Sequence, residues 1–427
     1  MKNFLLFLAL WWFLPCPGKA QLTLDECLQA ARENYPLIKQ HDLIRRSAEY
    51  TVQNARSNWY PQISLSAQAT YQSDVMSFPA EMEQLYSRLG ISFEGLPKDQ
   101  YKATVDIRQN LYDGGATKAH IRSARAEEEV RAQTWEVDMY ALRDRVHSLY
   151  FGILTLDARL RQCDLLQEEL RRNLDLVCSY QKNGLALPGD VELVEVEILA
   201  SDQQKVELAS ARDAFRLMLG AVIGRNIPAE TAFATPPVEA SAEGILRPEL
   251  LLFSAQSAQI GQQERIVRAG LMPRIGVFFS GNYGNPGLNL FEDMRENRFS
   301  AYYVAGLSVS WNLSNFYTKR NDLRKISIAR QEVDVRRNTS LYQIQQTVLQ
   351  QQGAVRKMQE VMQSDRRIID LRTSIKTATA AKVKNGTATV HDLLRDIHLQ
   401  NQAEQQAALH AIEHLKSLYD LKNTTNQ

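Results

Sequence analysis

The strongest constraint on this chain is that it repeats itself. Tyr35-Pro36 corresponds to Arg247-Pro248, and Tyr60-Pro61-Gln62-Ile63 to Met272-Pro273-Arg274-Ile275, both at a separation of 212 residues (248 − 36 and 273 − 61). Asn110-Leu111 then corresponds to Asn312-Leu313, and Asn183-Gly184 with Asp190 to Asn385-Gly386 with Asp392, all at 202 (312 − 110 and 385 − 183). The drop in offset falls between Ile63 and Asn110. A separation held across several elements means one supersecondary unit used twice. Residues 21–226 make the first repeat and 227–427 the second, joined by the Pro- and Ala-rich stretch 226–244.

Inside each repeat the hydrophobic period switches from helical to strand and back. Thr23-x-x-Glu26 reads as a capping box opening a short helix that Pro36 interrupts. Residues 37–58, and their counterparts 249–270, read as helix. Ile63, Leu65, Ala67, Ala69 and Tyr71 then alternate with polar neighbours, as do Tyr101, Ala103, Val105 and Ile107. Period two over about ten residues is a strand with one apolar and one polar face. The second repeat follows with Ile275, Val277, Phe279 and Tyr283, then Tyr303, Ala305, Leu307, Val309 and Trp311. Each repeat therefore gives one hairpin, at about 61–111 and 273–313.

The environment of these strands follows from what is missing. After Leu14 no stretch supplies the roughly 18 to 20 apolar residues of a membrane-spanning helix, but β-barrel strands alternate and never produce such a run. Strand length and alternation fit a transmembrane hairpin, with Tyr71, Tyr101, Tyr283, Tyr302, Tyr303 and Trp311 suited to an interfacial girdle. Four strands cannot close a barrel with a lumen and open edges are not tolerated in lipid, whereas three chains of four strands close one. Lys102, Asp106 and Arg108 would then line water, and residues 73–100 and 282–300 would be outer loops.

The segments after the hairpins are too long for a compact domain. Residues 116–182 and 318–384 contain no Pro and one Gly each, so at 1.5 Å per residue each helix runs about 100 Å. Leu142, Val146, Leu149, Ile153, Leu156, Leu160 and Cys163 step by four and three, the coiled-coil period. Ile344, Val348, Val355, Met358, Met362 and Ile369 keep that step, with Gln351 and Asp365 interrupting it. Helices at 191–219 and 393–421 return from the turns.

Composition narrows the class further. With 50 Lys+Arg against 49 Asp+Glu the chain lacks the basic excess of a nucleic-acid binder, and 44% hydrophobic residues exclude a disordered chain. Residues 1–20 read as a secretory signal, with Lys2, the apolar run Phe4 to Leu14 and the small-x-small Gly18-Lys19-Ala20. Cys16 raises a lipoprotein alternative, but Phe13-Leu14-Pro15 lacks the small residue beside the cysteine that lipid attachment uses. Cys27, Cys163 and Cys178 read as buried apolar residues, since on one helix Cys163 and Cys178 lie about 22 Å apart, beyond disulfide reach.

These features resemble one family. The motifs Tyr60-Pro61-Gln62-Ile63 and Leu111-Tyr112-Asp113-Gly114-Gly115, and the turns 183–191 and 385–393 set in two helix-hairpin-helix repeats, are similar to the TolC-type outer-membrane efflux proteins. The resemblance covers the mature chain. It implies a mixed α and β membrane protein of two tandem structural repeats, forming a homotrimer. A 12-stranded β-barrel in the bacterial outer membrane would continue into a periplasmic α-helical barrel, docked on a periplasmic adaptor and an inner-membrane pump. The implied cargo is small toxic molecules, with type I protein secretion as the other use. It further implies a constriction at the periplasmic tip near Asp392, with Asp190 the counterpart in the first repeat. Where the family often has a second acid one helical turn later, this chain has Arg395 followed by Asp396, so Arg395 is expected to pair with an acid on a neighbouring helix. Asn183, Gly184, Leu185, Asn385, Gly386 and Thr387 resemble the adaptor-docking turns. Equally, Asp190 and Asp392 suit helix caps, and Gly suits any sharp turn between helices.

Catalytic readings are weak. His410-Ala411-Ile412-Glu413-His414 matches H-x-x-E-H but lacks an identifiable distal ligand, and reads as a solvated helix face. His391 and His398 flank Asp392 and read as nonspecific tip histidines, with tuning of its titration as the alternative. No phosphate loop or nucleophile elbow is present, so no enzyme, metal or cofactor is expected. The rival class is a soluble periplasmic coiled-coil scaffold with a small sheet packed on protein.

Overall fold

A computed structural model describes residues 21–93, 95–184, 186–238 and 244–426. The signal segment, Cys16 and Leu185 lie outside the described residues. In chain order the elements are α1 (Leu24–Asn34), α2 (Ile38–Arg56), β1 (Gln62–Tyr71), α3 (Ala80–Arg88), β2 (Asp99–Tyr112), α4 (Ala116–Lys182), α5 (Pro188–Ile223), α6 (Pro248–Ala269), β3 (Arg274–Asn285), α7 (Leu290–Arg295), β4 (Ser300–Ser310), α8 (Asn315–Lys384) and α9 (Val390–Thr425). They divide into two units, and α4 and α8 contribute to both.

The strand unit comprises Asp42–Ala132 and Leu252–Arg336. Its sheet has the order β1-β2-β3-β4, antiparallel throughout, so the two hairpins join through β2 and β3. Register sorts the faces. Ile63, Ile107, Phe279 and Ala305 lie in one row, and Leu65, Val105, Gly281 and Tyr303 in the next row of the same face. The opposite face carries Ser64, Asp106, Ser280 and Val304, then Ser66, Thr104, Asn282 and Tyr302. Tyr302 therefore does not share the apolar face assigned to it as a girdle residue: its register partner is Asn282, and the Lys102 ammonium lies 5.9 Å from its ring.

Two findings in the connections at the ends of the strands were not expected. The stretch after β1 contains helix α3, whose Tyr86 packs with Phe78 and Phe93, while the stretch after β3 contains the short α7, whose Phe291 reaches the same Phe78. At the other end of the strands, Asp113 turns β2 into α4. Its carboxylate accepts the Gly115 amide at 2.9 Å and the Thr117 amide at 2.6 Å, satisfying helix donors that have no partner within α4. Gly114 is required there: its φ of +68° is left-handed, and a Cβ would stand 2.6 Å from Met272 Cβ.

The helical unit comprises the described residues up to His41, Gln133–Leu251 and those from Arg337 on. Its interior follows the seam of α4, where Val146, Tyr150, Phe151, Ile153 and Leu170 are buried. The Tyr150 hydroxyl ties the chain start to the connection after α5 through the Leu22 and Ala234 carbonyls, at 2.8 and 2.7 Å. Cys27 and Cys163 are buried free thiols, Cys178 is half-buried, and burial pushes the Cys27 thiol up to about 12.

His147 sits on the same seam, 5% exposed, edge-on to Phe151 and Tyr419. Burial, reinforced by the Arg143 and Lys422 charges, lowers its pKa from the ordinary 6.5 to about 4. A depressed pKa means that His147 stabilises the fold fully above its unfolded value, and that this contribution is lost as pH falls toward 4. The loss is on the order of 3 kcal/mol. Burial raises the carboxyls of Asp144 and Asp420 in this region, which oppose the trend because their protonated forms suit the fold. We therefore expect His147→Gln to reduce the stability difference between pH 7 and pH 5, read from denaturant midpoints. Equal pH dependence in both proteins would contradict this assignment.

Candidate functional site

The chemistry-bearing residues gather at the two turns where the long helices reverse. After α4, Gly184 takes φ +72°, and after α8, Gly386 takes φ +66°, both in the left-handed region that glycine enters without strain. At the second turn the Gly386 amide donates to the Val383 carbonyl at 3.0 Å and the Thr387 amide to the Lys382 carbonyl at 2.9 Å, the paired bonds of a helix end. The Asn385 amide closes the preceding turn on Ala381 at 3.2 Å. The first turn is alike, with Gly184 donating to the Gln181 carbonyl at 3.0 Å and the Asn183 side chain to Ser179 at 2.8 Å.

Both return helices begin three residues earlier than expected. Pro188 occupies the first helical turn of α5, where its missing amide costs nothing. This places Asp190 at the third helical position, where it accepts the Leu187 amide at 2.8 Å. Asp392 holds the same place in α9 with a complete box. The Asp392 amide donates to the Thr389 hydroxyl oxygen at 3.1 Å, and the carboxylate accepts the Thr389 amide at 3.2 Å and its hydroxyl at 2.7 Å. Thr389 escaped notice in the sequence, although Thr389-x-x-Asp392 is the capping-box pattern. The hydroxyl bond and then the amide bond from Thr389 hold the Asp392 carboxyl below its ordinary range. The charge thus persists through mild acid and is lost only as pH falls through that lowered value.

The neighbouring residues separate by environment. Arg395 is exposed, and among the described residues of this chain the acids beside it are Asp392 and Asp396 of its own helix, each 3.8 Å away. Asp396 is 6% exposed and accepts the Thr379 hydroxyl of α8 at 2.7 Å, so its carboxylate serves the packing of α8 on α9. His398 Nε2 lies 3.0 Å from Glu197 Oε2 of α5, close enough for an ion pair though not aligned as a hydrogen bond. Beneath both turns Leu166, Leu170, Val177, Val194, Val390, Leu393, Leu394 and Ile397 form one apolar cluster, so the turn of each repeat rests on the other. His410, expected on a solvated face, contacts Asp365 of α8 at 2.9 Å and is half-buried.

In the strand unit, Lys102, Asp106 and Arg108 alternate along one face of β2, in register with Gln68, Ser64 and Gln62 of β1. Thr104 between them donates to Asn282 of β3 at 2.8 Å, so this face carries a hydrogen-bonded polar row. The opposite face presents Ile63, Leu65, Leu307 and Val309, all exposed, with Leu65 78% and Leu307 73% exposed. No helix among the described residues is long and apolar enough to cross a membrane.

Residues 27–225 match the family model described as outer membrane efflux protein. Over that span the chain is similar to the outer membrane efflux proteins. The likeness of fold extends further. The chain superposes on the outer membrane protein VceC from Vibrio cholerae with a TM-score of 0.67 at 13% identity, covering 94% of this chain and 94% of that one. The open state of the Neisseria gonorrhoeae MtrE outer membrane channel gives 0.66 at 15% identity, covering 94% and 88%. The Campylobacter jejuni CmeC outer membrane channel gives 0.66 at 11%, covering 94% and 85%. At these identities the likeness is one of fold. No curated protein matches the chain in sequence.

Proposed function

We propose that three copies of this chain form an exit duct in the bacterial outer membrane, through which small toxic molecules leave the cell. The observation that carries this reading is the sheet. It has two unpaired edges, β1 and β4, and one face of exposed apolar side chains. A sheet with such edges is stable in lipid only when closed, and three sheets of four strands give a 12-stranded barrel. The apolar face then meets lipid, and Lys102, Asp106 and Arg108 line the water-filled lumen.

Below the barrel, helices of 67 and 70 residues, α4 and α8, reach about 100 Å and form a periplasmic tunnel in the trimer. Its far end is the pair of tip turns. In this reading Asp392, salt-linked to Arg395, rings the narrowing, with Asp190 as the first repeat's equivalent and Asp396 holding α9 in place from within the packing. Asn183, Gly184, Leu185, Asn385, Gly386 and Thr387 offer the docking surface for a periplasmic adaptor, and an inner-membrane pump supplies the energy. Passive conduction fits a chain without a nucleotide-binding motif. Fractionation tests the location: the protein is expected in outer membranes and resistant to extraction by salt. Recovery only from the soluble periplasm would replace the duct with a coiled-coil scaffold.

A further inference from the structure

A second site lies in the strand unit, where the sheet hands over to the helices. A groove of about 710 Å³ opens between α4 and α6, starting beside Gly114 and Met272, which flank the ends of β2 and β3. Its lining is strongly basic. Lys118, Arg122, Arg265, Arg268 and Arg330 line it, and a shallower continuation adds Arg125 beside Arg122 and Arg265.

Against these cations stands a single lining acid, Glu264, already engaged by Arg268 at 3.1 Å and Arg330 at 3.9 Å. Lys118, Arg122, Arg125 and Arg265 have no carboxylate within 4.0 Å among the described residues. Lys118 with Arg122, Arg122 with Arg125, and Arg265 with Arg268 stand three or four positions apart on their helices, a spacing that puts like charges side by side and destabilises each helix. The nearby acids Glu127 and Glu128 line a different groove. Among the described residues only Glu264 offsets this concentration of charge.

One buried atom makes the groove more than a solvated basic face: Arg330 Nε is a buried donor with no hydrogen-bond partner among the described residues. The Arg330 guanidinium crosses α6 at Gly261, in the space a side chain there would take. Convergent guanidinium groups around a concavity match the oxygens of phosphate, which they bind by paired charge-assisted hydrogen bonds.

We propose that this groove binds a phosphate group. Resting on the exit-duct reading, its source is an anionic phospholipid headgroup, because the groove begins at the ends of the strands and so lies level with the inner leaflet. A soluble phosphate-bearing solute passing through the duct carries the same chemistry.

The full-length protein, purified from membranes, separates these sources. Native mass spectrometry after reconstitution in nanodiscs containing phosphatidylglycerol, against nanodiscs of phosphatidylcholine alone, reads lipid retention. Calorimetric titration with inorganic pyrophosphate reads the soluble source. Arg122→Gln/Arg265→Gln is expected to weaken binding about 30-fold, the effect of two basic side chains near an anionic surface, and Arg122→Lys/Arg265→Lys to restore only part of it, the charge without the paired hydrogen bonds. Selective retention of phosphatidylglycerol that the Gln pair loses supports the lipid source. Pyrophosphate binding lost in the Gln pair, without lipid preference, supports the soluble one. Equal binding by the wild type and the Gln pair in both assays overturns the proposal. Conductance measured on the same wild-type sample keeps the two readings apart: binding without conductance removes the duct and leaves the phosphate site.

Discussion

Replacing Leu65 by Arg is expected to prevent stable assembly in the outer membrane, while Ser64→Arg, one residue away, leaves it intact. The two positions lie near the middle of β1, opposite Val105 and Asp106. Both are exposed in the single chain, so burial alone does not distinguish them. What distinguishes them is the solvent each face meets in the trimer. An Arg on the lipid face at mid-depth costs about 2 to 4 kcal/mol, whereas lumen substitutions leave stability little changed. In a trimer the cost falls on all three subunits. The readout is the heat or denaturant midpoint of the extracted protein, together with its yield in outer membranes. Equal loss in both variants would mean that neither face meets lipid.

Charge reversal at Asp392 should raise single-channel conductance, and the capping geometry lets charge and cap be separated. Asp392→Asn keeps a side-chain oxygen for the Thr389 amide and hydroxyl, so the start of α9 survives while the charge disappears. Thr389→Ala removes the hydroxyl half of the box at a cost of about 1 kcal/mol and keeps the carboxylate. If three Asp392 carboxylates ring the narrowing, Asp392→Lys repels its own copies and the neighbouring Arg395, and opens the tip most. Asp392→Asn should change ion selectivity with a smaller rise in conductance, and Thr389→Ala should leave selectivity alone. Unchanged conductance in Asp392→Lys would show that the constriction lies elsewhere.

Much of the architecture was legible because it rests on local rules. The Pro-free run 116–182 is the span of α4, and alternation along Gln62–Tyr71 is the span of β1. The turn glycines were legible because left-handed backbone leaves few other residues. Helix starts were less so: Pro188-Gly189 looks like turn material, yet Pro is at home in a first helical turn. Where long-range pairing decides, sequence reading failed. Tyr302 and Tyr303 are adjacent aromatics on opposite faces, and only pairing with β3 tells which is which. Asp396 lies one helical turn beyond Asp392, and only the contact with Thr379 reveals that it points into the packing. The basic groove was invisible because its residues lie on three helices, α4, α6 and α8, with α5 and more than a hundred positions between the first two and two strands between the last two.

The central claim is that three copies of this chain make one continuous duct. Planar-bilayer recording of the detergent-solubilised protein, with its mass determined on the same sample, tests it most directly. A mass of three chains with discrete, low-conductance steps is the predicted result, the steps small because the tip is nearly closed. A monomer that gives no conductance would contradict the account.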